Sequence, residues 1–409
     1  MATEDSQKKI RGLVDLALTY VVEPQPVSVP AVPDTMDELV AQVQSGLKIE
    51  SDNSDKDEPW DSENFSQRLA GLGQIISNDV TKTVIACKPP ADPVAAIGMV
   101  DALGESCFRL AGFVDAIPVK TAGQTYKLEI QTIANEIFLG VAVLMNEFLD
   151  EPVEKVAQLQ QQKNFTLDTT PAATTKAPKE AAGIDKQYLV KTGIVWEACT
   201  ALEKASRSNS QAVAKKWDGL VAMLDDAISE VQEMIDSNDD KDGAANDNDD
   251  DESGNESDDS WNDDEKLTEK EKQLCIKSNA MLKLTRLLLK KLKQRCLDTA
   301  PALSLSASTP SPTTEAESVT FRPSDLARMW DQLHIRAKEV TALSDEIATS
   351  LYGPQDQEAV SGLLKDLNCK DHECILLGRV FVRGQVEHEK WMDMCEAQFK
   401  KILEKPLSA

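Results

Sequence analysis

The feature that most constrains this chain is a 4-3-4-3 spacing of apolar residues that recurs in segment after segment. From Tyr126 it runs through Ile130, Ile133, Ile137, Val141, Leu144 and Phe148, with one drift to the neighbouring position. From Val213 it runs through Trp217, Leu220, Leu224, Ala227, Val231 and Met234, and from Leu326 through Trp330, Leu333, Ala337, Val340, Ser344, Ile347 and Leu351. Residues so spaced line one stripe of an α-helix, and so narrow a stripe packs at about +20° against its neighbours. Alternation of period two, bounded by turn residues, is absent over any useful length. Shorter stretches agree. Phe65, Leu69, Leu72, Ile76, Val80 and Val84 mark a helix that Pro89-Pro90 stops, and Asp92-Pro93 starts the next, through Val100, Leu103, Cys107, Leu110 and Val114 to Pro118. Ile10, Leu13, Val14, Ala17, Leu18 and Val21 mark the first helix, Leu274, Met281 and Leu288 a strongly apolar one, and Phe381, His388, Met392, Cys395, Phe399 and Ile402 the last. The expected fold class is all-α, as two antiparallel helical bundles of four to five helices each.

The periodicity lapses in a few places. Residues 23–33 are rich in Pro and Val, 49–59 are acidic, 160–183 are rich in Gln, Thr, Ala and Pro, and 298–322 are rich in Ser, Thr and Pro. Within 236–265 there are fifteen Asp and Glu against one Lys. Such a stretch lacks the apolar surface to offset ordering and is expected to remain disordered and solvated. The expected organisation is therefore an N-terminal bundle over 1–159, a linker over 160–183, and a C-terminal bundle over 184–405 that contains the acidic tract and the 298–322 loop.

Charge narrows the partners. A net charge of −26 opposes the phosphate neutralisation on which nucleic-acid binding depends, and it disfavours an anionic membrane surface. The field steers basic partners instead. The opening Met-Ala-Thr-Glu-Asp-Ser is not a signal peptide, and no apolar run approaches the roughly 20 residues of a membrane span. The eight cysteines are scattered on apolar helical positions, which points to free buried thiols in a reducing compartment. In that setting the sequons at Asn164 and Asn255 carry no sugar.

No constellation calls for catalysis or a cofactor. There are three histidines, and no Ser or Cys stands in a nucleophile context. Gly71-Leu72-Gly73 lacks a third glycine and lies inside an amphipathic helix, so it is no dinucleotide turn. Cys369, His372, Cys374 and His388 loosely imitate a zinc set, but the spacing matches no common pattern, and a core role for His388 is the simpler reading. The run from Asn238 to Gly243 starts like a calcium loop, yet Ala245 and Asp249 stand where an apolar residue and a bidentate Glu belong. No metal is expected.

Modification is better founded. Ser253 and Ser260 have Glu256 and Asp263 three residues on, as acidophilic kinases require, while Thr170, Thr309 and Ser311 each precede a proline. Trp196, Trp217 and Trp330 fall on core-like positions; Trp261, isolated among acids, is the recognition candidate. The Leu-rich helix over 266–297 interleaves Lys283, Arg286, Lys290, Lys291, Lys293 and Arg295 with leucines, so it presents no basic face for DNA ahead of an apolar helix. Those charges read as a solvated face. Two Arg-x-Leu triplets, at Arg11 and Arg295, lie inside expected helices and are discounted as docking peptides.

Four landmarks in order resemble the cyclin-D-interacting protein family. They are Phe65-Ser66-Gln67-Arg68-Leu69 with Val80-Thr81-Lys82; Val195-Trp196-Glu197-Ala198-Cys199 with Ser208-Asn209; the acidic tract with Trp261 leading into a Leu- and Lys-rich helix; and Ser344 through Tyr352. They span roughly residues 60–405. The chain departs from the family with Gly353-Pro354 in place of a proline pair, and its 160–183 and 298–322 segments are longer. The resemblance implies a helical protein of cytoplasm and nucleus, without a catalytic residue, that binds D-type cyclins and helix-loop-helix factors and restrains cell-cycle progression and transcription. Two other classes fit the composition: a structural adaptor of the adhesion type, and an acidic chaperone for basic proteins.

Overall fold

The computed structural model describes residues 3–23, 32, 33, 35, 38, 41, 60–88, 91–159, 187–243, 267–298 and 323–406, side chains at 238–243 and 323 excepted. Among these, every regular element is helical: α1 Glu4–Tyr20, α2 Ser62–Cys87, α3 Pro93–Asp115, α4 Gln124–Asn146, α5 Gln187–Glu203, α6 Asn209–Gly243, α7 Glu269–Leu292, α8 Pro323–Ser350, α9 Gln357–Phe381 and α10 Val386–Glu404. A short turn, Val119–Ala122, precedes α4, and a π-turn, Lys293–Leu297, ends α7.

The helices begin where side-chain oxygens meet their free N–H groups. Asp61 accepts from Asn64 N at 3.0 Å, and Asp92 accepts from Val94 N at 3.0 Å with Pro93 in the first turn. Thr268 and Glu271 form a reciprocal capping box on α7, and the backbone N–H of Thr268 holds the Glu271 carboxyl below its usual range. Asp356 caps α9 through Glu358 N and Ala359 N.

Two compact units form, and they divide elsewhere than at the 160–183 segment. The first comprises Met1–Val27 and Glu58–Ala212; the second comprises Ser28–Asp57 and Val213–Ala409. The reason is α5. Its Val195, Ala198, Cys199 and Leu202 are buried in the first core, so the helix beyond the expected linker belongs to the first unit. Residues 160–183 themselves lie outside the described residues. In the first unit the neighbours close into a ring, α1–α4–α5–α2–α3 and back to α1. Close approach is built in: a Cβ on Gly73 would sit 3.2 Å from Cys199 O, and one on Gly140 would sit 3.0 Å from Val195 Cγ2.

α4 is long and apolar enough to span a membrane by composition alone, but 72% of that window is buried inside its unit. It is the central helix of the first core, lined by Tyr126, Ile130, Ile137, Val141 and Leu144.

The second unit holds α6 from Val213 onward and α7 to α10, around Trp217, Leu224, Leu282, Leu289, Leu333, Ile347, Leu367 and Phe381. Trp217 is fully buried and donates to Leu289 O at 3.0 Å. Trp330 stacks on Phe381 at 5.8 Å between centroids and donates to Cys296 O at 3.2 Å. Two boundaries differ from the sequence reading. The last helix starts at Val386, because Gly384 at φ 80° turns the chain after Phe381. And α6 continues to Gly243, so the first residues of the acidic tract are helical; 244–265 lie outside the described residues.

Candidate functional site

The titratable groups sit in or between helices as structural pairs. Arg336 meets Glu373 at 2.8 Å and Glu339 at 2.8 Å, while Lys370 meets Glu373 at 2.9 Å, joining α8 to α9. Arg379 meets Glu396 at 2.9 Å and Asp393 at 2.8 Å, and His372 Nδ1 lies 3.2 Å from Glu396, joining α9 to α10. Asp371 is wholly buried; burial pushes its carboxyl up to about 8 against the opposing hydrogen bond from Thr285, 2.6 Å away. Burial, then Lys216 and Lys338, pushes His334 down to about 4.

The zinc-like set does not converge. Cys369 is exposed, Cys374 is buried, His372 faces Glu396, and His388 is half-buried instead of in the core. Among the described residues no group of three or more His, Cys, Asp or Glu could hold a metal. Seven of the eight free cysteines are buried. Burial pushes the Cys107, Cys199 and Cys296 thiols up to about 12.

The basic residues of α7 are not a merely solvated face, because α6 supplies their partners. Arg286 and Lys290 share Asp225, Lys293 pairs with Asp218, and Lys283 donates to Gln232 at 2.9 Å. Sequence reasoning saw the charges and missed the acidic helix that meets them.

The landmarks meet in space within the first unit. Trp196 Nε1 donates to Thr81 Oγ1 at 3.2 Å, joining the second landmark to the first. Phe65 lies between Trp60 and Phe113, with centroids at 4.7 and 5.5 Å, and the Arg68 guanidinium sits over the Phe113 ring at 5.0 Å. Asn209 Oδ1 accepts from Tyr126 N at 3.0 Å, so a side chain 83 residues away caps α4. Its carboxamide fills the space beside Gly123, which has φ 92°, and an added Cβ there would lie 2.1 Å from Asn209 Cγ.

The surface that stands out is the outer side of α5. This helix has apolar residues on every face. Thr192, Val195, Ala198, Cys199 and Leu202 enter the core, whereas Leu189 (53% exposed), Val190 (68%), Ile194 (51%) and Trp196 (44%) face solvent. Gly193 lies among them with nothing within 4 Å of a built Cβ, which leaves the middle of the face flat. Gln187, Glu197, Thr200 and, at the helix end, Glu203 are the exposed polar residues along it. A helix apolar all round is normally buried on all sides, and a contiguous exposed apolar face of this kind marks an interaction site. The sequence places Trp196 in the core; it lies instead at the α2–α5 seam, partly covered and 44% exposed. The usable signal was the run from Leu189 to Trp196, too apolar for a one-sided helix. Ser253, Ser260, Trp261, Thr170, Thr309 and Ser311 all lie outside the described residues.

Among the described residues both units are built of helices, and one carries an exposed apolar helix face, which makes this an all-α protein of two helical units. Residues 68–237 match the family model described as Grap2 and cyclin-D-interacting, N-terminal, and residues 246–374 match its C-terminal counterpart. The chain belongs to the Grap2 and cyclin-D-interacting family. It is also similar to an uncharacterized protein of Schizosaccharomyces pombe, 22% identical over 172 residues, which covers 42% of this chain and 44% of that protein. The chain thus matches less than half the length of that relative.

Proposed function

We propose that this chain is a non-catalytic protein–protein interaction module that binds a D-type cyclin through the outer face of α5 and restrains cell-cycle progression. The observation that carries the surface is the exposure of Leu189, Val190, Ile194 and Trp196 on one helix whose opposite face is core. Such a face accepts the apolar stripe of a partner's amphipathic helix, and Gly193 lets that helix approach closely. The family supplies the partner class. Helix-loop-helix factors are the second partner class in this reading. The protein works in cytoplasm and nucleus, and phosphate at Ser253, Ser260, Thr170, Thr309 or Ser311 modulates it by adding negative charge.

The test is a binding titration of the full chain against a purified D-type cyclin, with wild type and the Val190→Glu/Ile194→Glu variant. Two charges in the centre of an apolar contact cost about 3 kcal/mol or more, roughly a hundredfold in Kd. Undiminished binding by a correctly folded variant removes α5 as the site, and absence of wild-type binding removes the partner assignment. A second reading, an acidic chaperone, rests on the fifteen Asp and Glu of 236–265. It requires that deletion of 244–265 abolish all binding, whereas the α5 reading requires that cyclin binding survive.

A further inference from the structure

Four tyrosines occur in the chain, and the structure separates them. Tyr126 is fully buried. Tyr20 and Tyr188 are half-buried on helices, their rings packed on Phe138 and Phe148 at 5.3 and 6.0 Å. Tyr352 is 54% exposed and is the only one outside a regular helix, in the turn between α8 and α9. Gly353 at φ 71° and Pro354 keep that turn from continuing as helix. A kinase that reads an extended substrate can therefore reach Tyr352 without unwinding an element.

The hydroxyl also has a structural role. Tyr352 Oη donates to Glu230 Oε1 on α6 at 2.8 Å, fastening the end of α8 to α6. That hydrogen bond, then burial and the charges of Glu230 and Glu233, pushes the phenol up to about 12. The proton is thus held on the phenol, where the Glu230 carboxylate accepts it. A single exposed hydrogen bond of this kind is weak in water and opens readily. The far end of the turn is anchored separately: Gln355 N donates to Glu271 Oε1 at 3.2 Å, and Gln355 Nε2 donates to Leu351 O at 2.9 Å.

We propose that Tyr352 is an acceptor site for a protein tyrosine kinase, and that its phosphorylation unfastens the end of α8 from α6. In the transfer, Tyr352 Oη bonds to the γ-phosphorus of ATP. The bond from that phosphorus to the β–γ bridging oxygen breaks, ADP leaves, and the phenolic proton passes to the kinase's base. The product has lost the donor that Glu230 used. It places nearly two negative charges beside Glu230 and Glu233, where a phosphate disrupts by repulsion. Gln355 keeps the change local to residues 351–354 and the facing turn of α6.

The experiment treats the folded full-length chain with a broad-specificity tyrosine kinase and MgATP, maps the phosphate by mass spectrometry, and follows hydrogen exchange. The expected result is phosphate on Tyr352 in preference to Tyr20, Tyr126 and Tyr188, with incorporation lost in Tyr352→Phe. Amides of 228–234 and 348–353 then exchange several-fold faster, and Glu230→Gln/Glu233→Gln blunts that increase. Phosphate on another tyrosine, no incorporation into the folded chain, or phosphate on Tyr352 without faster exchange overturns the proposal.

Discussion

Replacing Gly123 by alanine tests the junction at which Asn209 caps α4. Gly123 has φ 92° and ψ 150°, a region that only glycine occupies without strain, so a side chain costs about 1–3 kcal/mol. The new Cβ would also lie 2.1 Å from Asn209 Cγ, so the carboxamide must leave. Its departure deprives Tyr126 N of its acceptor, a cap loss of about 1 kcal/mol. The total expected for Gly123→Ala is roughly 2–4 kcal/mol. At an unstrained site the same change would stabilise by about 0.4–1 kcal/mol through the unfolded chain, so even the sign is diagnostic. The assay is native-state hydrogen exchange in urea, read at α4 amides between Ile130 and Leu144, which reports the first unit separately. A double-mutant cycle adds the mechanism. In an Asn209→Ala background the cap is already gone and the clash is relieved, so Gly123→Ala should cost about 1 kcal/mol less than in wild type. A neutral or stabilising Gly123→Ala, or strict additivity in the cycle, would refute the reasoning.

Asp371 gives a pH prediction. Its folded pKa of about 8 lies above its ordinary 3.8, so the folded state retains a proton that the unfolded chain releases, and stability falls as pH rises between those values. Asp371→Asn should flatten that slope, gaining on wild type from pH 4 to pH 8 in urea midpoints; an unchanged slope would mean that the carboxyl is ionised in the fold. In native protein a small thiol reagent should label Cys369 rapidly and the other seven cysteines only after unfolding, because burial both hides them and suppresses their thiolates; rapid labelling of a second thiol would contradict this. Val190→Ser and Ile194→Ser should each change stability by no more than about 0.5 kcal/mol, since both face solvent, and a larger loss by thermal or urea unfolding would show that the face is covered within the chain.

Much of the fold was legible before any coordinates. Periodic stripes such as Val213–Met234 and Leu326–Leu351 depend on the i, i+3, i+4 geometry of a single helix, which the chain carries locally. The stop at Pro89-Pro90 and the start at Asp92-Pro93 are equally local, because each depends on a residue and its own chain neighbours. Those local rules were enough to set the all-α class and to mark eight of the ten long helices among the described residues; no stripe marked α5 or α9. They failed at Phe381, where one stripe ran on past a turn that Gly384 makes.

The tertiary structure alone decided which faces meet. Residues 160–183 looked like a boundary because their composition changes there, yet α5 lies beyond them and packs into the first core through Val195 and Cys199. Asn209 stands in the sequence only as part of a landmark, and only the approach of α4 makes it the cap of Tyr126 N. The lysines of α7 acquired partners on α6, and Trp196 stayed partly exposed at a helix seam. Spacing along a helix says which residues share a stripe. Whether that stripe is covered depends on which other helix reaches it, and on α5 the stripe from Leu189 to Trp196 is the one that none of its neighbours in the first unit covers.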